Sequence, residues 1–256
     1  MTRSELIEDL LHYVETTQSQ LGDCPSAVVA SQGDTILLER YSSGDGAKLG
    51  EVDASSLWPL CSATKGYIAA LLLNLCHENI LNLDDPVVLH VPEFCSAGDN
   101  RFDPGLATIR HFASHVSGVE FDISFKDQTA PDLTTARIAD EPGKEFNYAL
   151  PGMHVLQRVL EAASGERFPQ ILYDRILNPL GLRHSGYRYD LDSSVPMLPM
   201  RPPDPQQPRD AYLRANANLH PSHGTYVTAL EFNRFGQFWL GDGEFEGKRY
   251  FSASLK

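Results

Sequence analysis

The chain has 256 residues, of which 42% are hydrophobic and 21% charged. That is the balance of an ordinary globular protein with enough apolar material for a core. A formal net charge of −13 and a pI near 5.0 argue against nucleic acid or an anionic membrane surface as partner, because both need clustered Lys and Arg.

The opening residues have neither the apolar run nor the cleavage pattern of a secretion signal. Leu6 to Val14 reads as an amphipathic helix, with Leu6, Leu10 and Tyr13 on one face and a Thr2/Glu5 capping box at its start. Ser26–Ala30 and Thr35–Tyr41 are β-rich runs flanking the turn signal Gln32-Gly33-Asp34, which predicts a hairpin. A loop at Ser43–Gly46 follows. Gly66 to His77 is apolar on nearly every face and predicts a buried helix. Further helices are expected over Thr108–Gly118, 151–164, Ile171–Leu177 and Leu230–Leu240. Between Val195 and Pro208, prolines at 196, 199, 202, 203, 205 and 208 forbid regular helix or central strand, so 195–208 reads as an extended surface insertion. No window approaches the length of a membrane span. Cys24, Cys61, Cys76 and Cys95 form no C-x-x-C pair and have no zinc-like His spacing. They are expected as free thiols in a reducing, cytoplasmic setting.

The chemistry begins at Ser62-Ala63-Thr64-Lys65, the one S-x-x-K of the chain. On a helix, positions i and i+3 share a face, so the Lys65 ammonium can reach the Ser62 hydroxyl. A serine is a poor nucleophile until a neighbour takes its proton. Lys65 can do so only if burial or charge keeps it neutral part of the time. By itself this is a weak motif, and a capping serine with a surface lysine is its more ordinary reading. A second candidate is Tyr148, in Pro142-Gly143-Lys144-Glu145-Phe146-Asn147-Tyr148-Ala149-Leu150. A phenol near a cation can act as a general base when part-ionised.

Ser62-x-x-Lys65 followed by a Tyr before a helix resembles the first two signature elements of the penicillin-recognising serine hydrolases. The nearest branch is that of class C β-lactamases, family VIII carboxylesterases and D-Ala-D-Ala peptidases. Further segments match that branch in order: Leu83–Val87 through Phe94, Thr108–His111 through Gly118, Pro142–Tyr148 through Gly165, Asn178–Gly186, and His223-Gly224 through Phe235. The resemblance implies an α/β (α+β) fold, with a helical lobe and an antiparallel sheet in one β-lactamase-like domain over 1–256. Residues 1–60 would hold the first helix and hairpin, and 61–240 the mainly helical lobe. It implies Ser62 as acyl-enzyme nucleophile, Lys65 as proton acceptor or neighbouring cation, and Tyr148 as proton shuttle. The Ser62 N–H would form half of an oxyanion hole. His111 and His115 would belong to a structural helix-turn, and Cys61 would be a small hydrophobe. The expected substrate is a small ester or amide, with no metal or organic cofactor, no nucleic acid and no membrane. Acyl transfer from the same site, or an inactive member that binds a ligand or partner, are the rival readings.

Two departures stand out. Leu150 occupies the place where the family commonly has Asn, which removes hydrogen bonds to lysine and substrate and would suit an ester better than a β-lactam or peptide. The family's third element, a K-T-G or H-x-G strand, would follow the segment ending at Lys256. On that basis the sheet is expected to be incomplete, and the helix Gly66–Cys76 to lose much of the surface it buries against.

Overall fold

A computed structural model of the chain describes residues 3–21, 24–44, 51–122, 130–187 and 221–255. The proline-rich segment at 195–208, Thr2 of the expected capping box and Lys256 lie outside these residues.

Helix α1 (Arg3–Leu21) is longer than the sequence pattern predicts. Its covered stripe is Ile7, Leu10, Leu11 and Val14, while Leu6 and Tyr13 face solvent. The expected face is therefore corrected: the i, i+3, i+4, i+7 stripe that starts at Ile7 is the continuous apolar one, and it turns toward the hairpin. Strands β1 (Ser26–Gln32) and β2 (Thr35–Ser42) pair antiparallel from Ser26↔Ser42 to Gln32↔Thr35, with a register shift between Ala30 and Ser31. Gly33 makes the turn at φ +54°, a conformation glycine adopts at no steric cost.

Strand β3 (Trp58–Pro59) leads through a 3-10 turn, Cys61–Thr64, into α2 (Lys65–His77). Short elements follow: α3 (Val87–His90), α4 (Ile109–Ala113), and the pair β4 (Val119–Glu120) and β5 (Arg137–Ile138). Thr108 and His111 close a reciprocal capping box on α4, so the two residues satisfy each other's backbone donors. Helix α5 (Gly152–Ser164) ends at Gly165 in the left-handed region. Helix α6 (Phe168–Leu172) then widens into one π turn, Tyr173–Leu177, where the sequence predicts a single helix. Strands β6 (Gly186–Tyr187) and β7 (Thr225–Val227) precede α7 (Ala229–Leu240) and the small hairpin β8 (Glu244–Phe245) and β9 (Lys248–Arg249).

The sheet is not limited to the first hairpin. A three-stranded antiparallel piece runs in the order β3-β7-β6, with Trp58↔Val227, Pro59↔Tyr226 and Gly186↔Tyr226 paired. Two- and three-residue strands carry no alternation that sequence could reveal.

Helix α2 is the axis of the core. Tyr67, Ile68, Ala70, Leu71, Leu72, Leu73 and Leu75 are all buried, against α5, α6, the π turn and α7. The expected loss of covering surface is therefore not seen. Phe235 of α7 stacks on Tyr67 at 3.9 Å between centroids, and Asn74 donates to the Tyr250 carbonyl at 3.1 Å. Gly66 permits this closeness, because a Cβ there would meet the Phe235 ring at 3.3 Å. Each large apolar side chain so buried contributes roughly 1.5–3 kcal/mol relative to exposure.

Candidate active site

The S-x-x-K motif lies where a turn becomes a helix. Cys61 has φ +48°, unusual for a residue with a side chain, and directly precedes Ser62. That backbone turn presents Ser62 at the surface, while Thr64 points into the protein and Lys65 opens α2. The turn is fastened to β7 from both sides: the Leu60 N–H donates to the Thr225 carbonyl at 3.0 Å, and the Thr225 N–H donates to Thr64 Oγ1 at 3.3 Å.

Tyr148 arrives from the loop before α5. Its hydroxyl donates to Ser62 Oγ at 2.9 Å. Lys65 Nζ lies 4.8 Å from the centre of the Tyr148 ring and donates to the Ser222 carbonyl at 3.2 Å. The structure thus brings Ser62, Lys65 and Tyr148 together. Tyr148 is 47% exposed, so the group opens to solvent. Partial burial works to raise its phenol, but the Lys65 and Ser62 hydrogen bonds and the Lys65 charge outweigh it, and the net shift is downward.

The loop carrying Tyr148 is held by the turn after α4. The Asn147 N–H donates to the His115 carbonyl at 2.8 Å, and the Gly143 N–H to the Val116 carbonyl at 2.7 Å. The His115 ring lies 4.6 Å from that of Tyr148 and 5.9 Å from that of Phe146, centroid to centroid. His115 is thus a wall of the site as well as part of a turn. His111 stays outside it, accepting the Thr108 N–H at the start of α4. Burial, then the Lys65 charge, holds the His115 imidazole below its ordinary value.

Sequence reasoning missed Ser222 and His223. Ser222 is fully buried, and its hydroxyl meets His223 Nδ1 at 2.8 Å. Burial, then Lys65, lowers His223. Behind it, His154 of α5 is pushed down to about 4, by burial first and then by electrostatic repulsion between it and His223 were both to protonate. The available signal was the His223-Gly224 pair, which the family resemblance matched without giving the histidine a role. Burial raises the Cys61 thiol, which opposes thiolate chemistry beside Ser62. Leu150 is half-buried, two residues before α5, and supplies no side-chain amide. Among the described residues, no group of three His, Cys, Asp or Glu is gathered as a metal ion would require.

Comparison with known proteins places the chain in a family. A family model described as Beta-lactamase matches residues 14–251. The chain belongs to that family. It is 26% identical over 203 residues to protein flp of Staphylococcus aureus strain MW2, covering 70% of this chain and 40% of flp. It is 26% identical over 185 residues to esterase EstB of Burkholderia gladioli, covering 63% of this chain and 46% of EstB. The chain therefore spans less than half the length of either relative. Among solved structures, EstCE1, described as a hydrolase with promiscuous acyltransferase activity, superposes with a TM-score of 0.73 at 22% identity, covering 97% of this chain and 75% of that one. The β-lactamase/transpeptidase-like fold is thus shared across nearly the whole chain, with small sheets that do not close. Among the described residues, no helix is long and apolar enough to cross a membrane.

Proposed function

We propose that this chain carries the acylating centre of a serine hydrolase for small esters or amides, with Ser62 as nucleophile, Tyr148 as the proton-transferring group and Lys65 as the cation that favours the phenolate. The observation that carries the reading is the 2.9 Å contact between Tyr148 Oη and Ser62 Oγ beside the Lys65 ammonium. With the phenol neutral, Tyr148 donates to Ser62. With it ionised, the contact reverses and Ser62 donates its proton as Oγ attacks the substrate carbonyl. The proton on Tyr148 then passes to the leaving oxygen or nitrogen as the acyl bond breaks, which leaves an acyl-Ser62 ester. In the second half, Tyr148 takes a proton from water as the water oxygen attacks the acyl carbon, and returns it to Ser62 Oγ as the C–Oγ bond breaks and the acid leaves. Leu150 supports esters over amides, since a half-buried apolar side chain offers a leaving amine no hydrogen bond. Similarity to EstCE1 and the half-exposed Tyr148 support a second reading, in which an alcohol takes the place of water.

Intact-mass measurement after exposure to p-nitrophenyl butyrate tests the reading. A butyryl adduct forms on wild type, is absent from Ser62→Ala, and forms about 10²–10⁴-fold more slowly in Tyr148→Phe. The acylation rate rises with pH through a midpoint below the ordinary phenol value of 10.0. A folded wild-type chain that takes up no adduct would overturn the reading in favour of an inactive, ligand-binding member.

A further inference from the structure

We propose that His223 is a positioning residue for Lys65, acting through Ser222: the imidazole and the Ser222 hydroxyl lock the peptide whose carbonyl holds the lysine beside Tyr148. The proposal rests on the reading of the site given above. It depends on three linked contacts. Lys65 Nζ donates to the Ser222 carbonyl at 3.2 Å. Ser222 Oγ and His223 Nδ1 are 2.8 Å apart. The Ser222 side chain is fully buried, so water cannot replace that partner without opening the site.

The covalent path from Ser222 Oγ to His223 Nδ1 runs through the Ser222–His223 peptide bond. A hydrogen bond between its ends closes a ring around that peptide and fixes the direction of the Ser222 carbonyl. A lysine has four torsions to freeze, and an ammonium anchored only over an aromatic face can slide along it. The carbonyl supplies a second, directional anchor. Next to it, β7 fastens the nucleophile turn through Thr225, so one short segment sets both Ser62 and Lys65.

The device needs a neutral imidazole, whose Nδ1 accepts the Ser222 O–H. Among the described residues, the charged or titratable groups facing His223 are Lys65 from α2 and His154 from α5, and the Lys65 charge opposes a positive ring. Burial acts in the same direction. A protonated His223 would turn Nδ1 into a donor and add a like charge beside Lys65.

Four variants, Ser222→Ala, His223→Ala, the double variant and His223→Asn, test this by crystallography and single-turnover acylation with p-nitrophenyl butyrate. Loss of the imidazole moves Lys65 Nζ out of hydrogen-bond range of the Ser222 carbonyl. Acylation then slows on the order of 10- to 100-fold, as a misplaced catalytic group does, with KM near wild type. Ser222→Ala produces the same loss, and the double variant is no slower than either single one, because the two residues act as one unit. His223→Asn, whose amide reaches the Nδ1 position, recovers most of the rate. The proposal is overturned if Lys65 keeps its carbonyl in His223→Ala, if that variant acylates at the wild-type rate, or if the two losses add. Should His223→Ala fail to fold, Ser222→Ala and His223→Asn decide. If wild type itself forms no adduct, the functional reading fails separately, and the Lys65–Ser222 distance in the variant crystals still decides the positioning role.

Discussion

Around α2, the side chains of Tyr67, Leu71, Val155, Val159, Ile171 and Phe238 are all fully enclosed. On the hairpin side, β1 is only partly covered throughout, and Leu240 of α7 is 85% exposed. Between β1 and α7 lies an open cavity of about 580 Å³, whose walls include Ala30, Gly66, Phe235 and Trp239. Both regions are apolar in sequence, so composition does not separate them. What differs is the number of elements that converge: α5, α6 and α7 all reach α2, whereas the hairpin meets chiefly α1 and α7. The Ser62 turn lies at the seam and is continuous with the enclosed side through α2. The geometry of Ser62, Lys65 and Tyr148 should therefore depend on the rigidity of the body and be nearly indifferent to the hairpin.

The sharpest break of that contrast is Leu71→Ala. Leu71 is fully buried in the middle of α2, and truncation leaves a cavity its neighbours cannot fill. A loss of about 2–5 kcal/mol is expected in urea unfolding, with acylation lost alongside folded protein. A loss below about 1 kcal/mol would mean the body is not close-packed and the contrast is false.

Acid should attack the same body from within. His154 has its folded value pushed down to about 4 from an ordinary 6.5, first by burial and then by His223. Above 6.5 the ring is neutral in both folded and unfolded chains, and its contribution is fully present. As pH falls, the unfolded chain binds a proton that the folded one refuses, so stability drops by up to about 1.4 kcal/mol per pH unit. The loss levels off once the folded ring also protonates near 4, and totals on the order of 3 kcal/mol. His154→Phe should flatten this limb in unfolding measured between these two pH values, whatever it does to absolute stability. An unchanged acid limb would assign the loss to other groups.

How legible the molecule is in its sequence follows the same division. Helix α2 is readable because it is apolar on every face, and Ser62 and Lys65 because their spacing is local. Tyr148 is visible only through family resemblance, since nothing near it in sequence distinguishes a base from a core aromatic. The covered face of α1 is misjudged because Leu6 is as apolar as Ile7 and Leu11, Tyr13 is largely apolar, and only packing on the hairpin chooses between the two faces. Strands β3, β6 and β7 are too short for a period to show. The Lys65–Ser222 contact joins positions 157 residues apart, so no local pattern could announce it. His154 lies on the side of α5 away from Val155, Leu156, Val159 and Leu160, in line with Gln157, Arg158 and Glu161, where the spacing reads as a solvated face and gives no sign of burial.

The smallest expected effect tests the open side. Ile36 of β2 is 43% exposed and is paired with Ser31 where the register shifts. Removing its outer carbons takes away little buried area and leaves no enclosed cavity, so Ile36→Ala should cost only about 0.5 kcal/mol, as surface substitutions do. Acylation by p-nitrophenyl butyrate should match wild type, since among the described residues β2 supplies no hydrogen bond to Ser62, Lys65 or Tyr148. A loss as large as that of Leu71→Ala would show that the hairpin is packed as tightly as α2. A slower acylation with unchanged stability would show that the seam transmits hairpin strain to Ser62, through the Gly66–Phe235 contact that borders both the cavity and the start of α2.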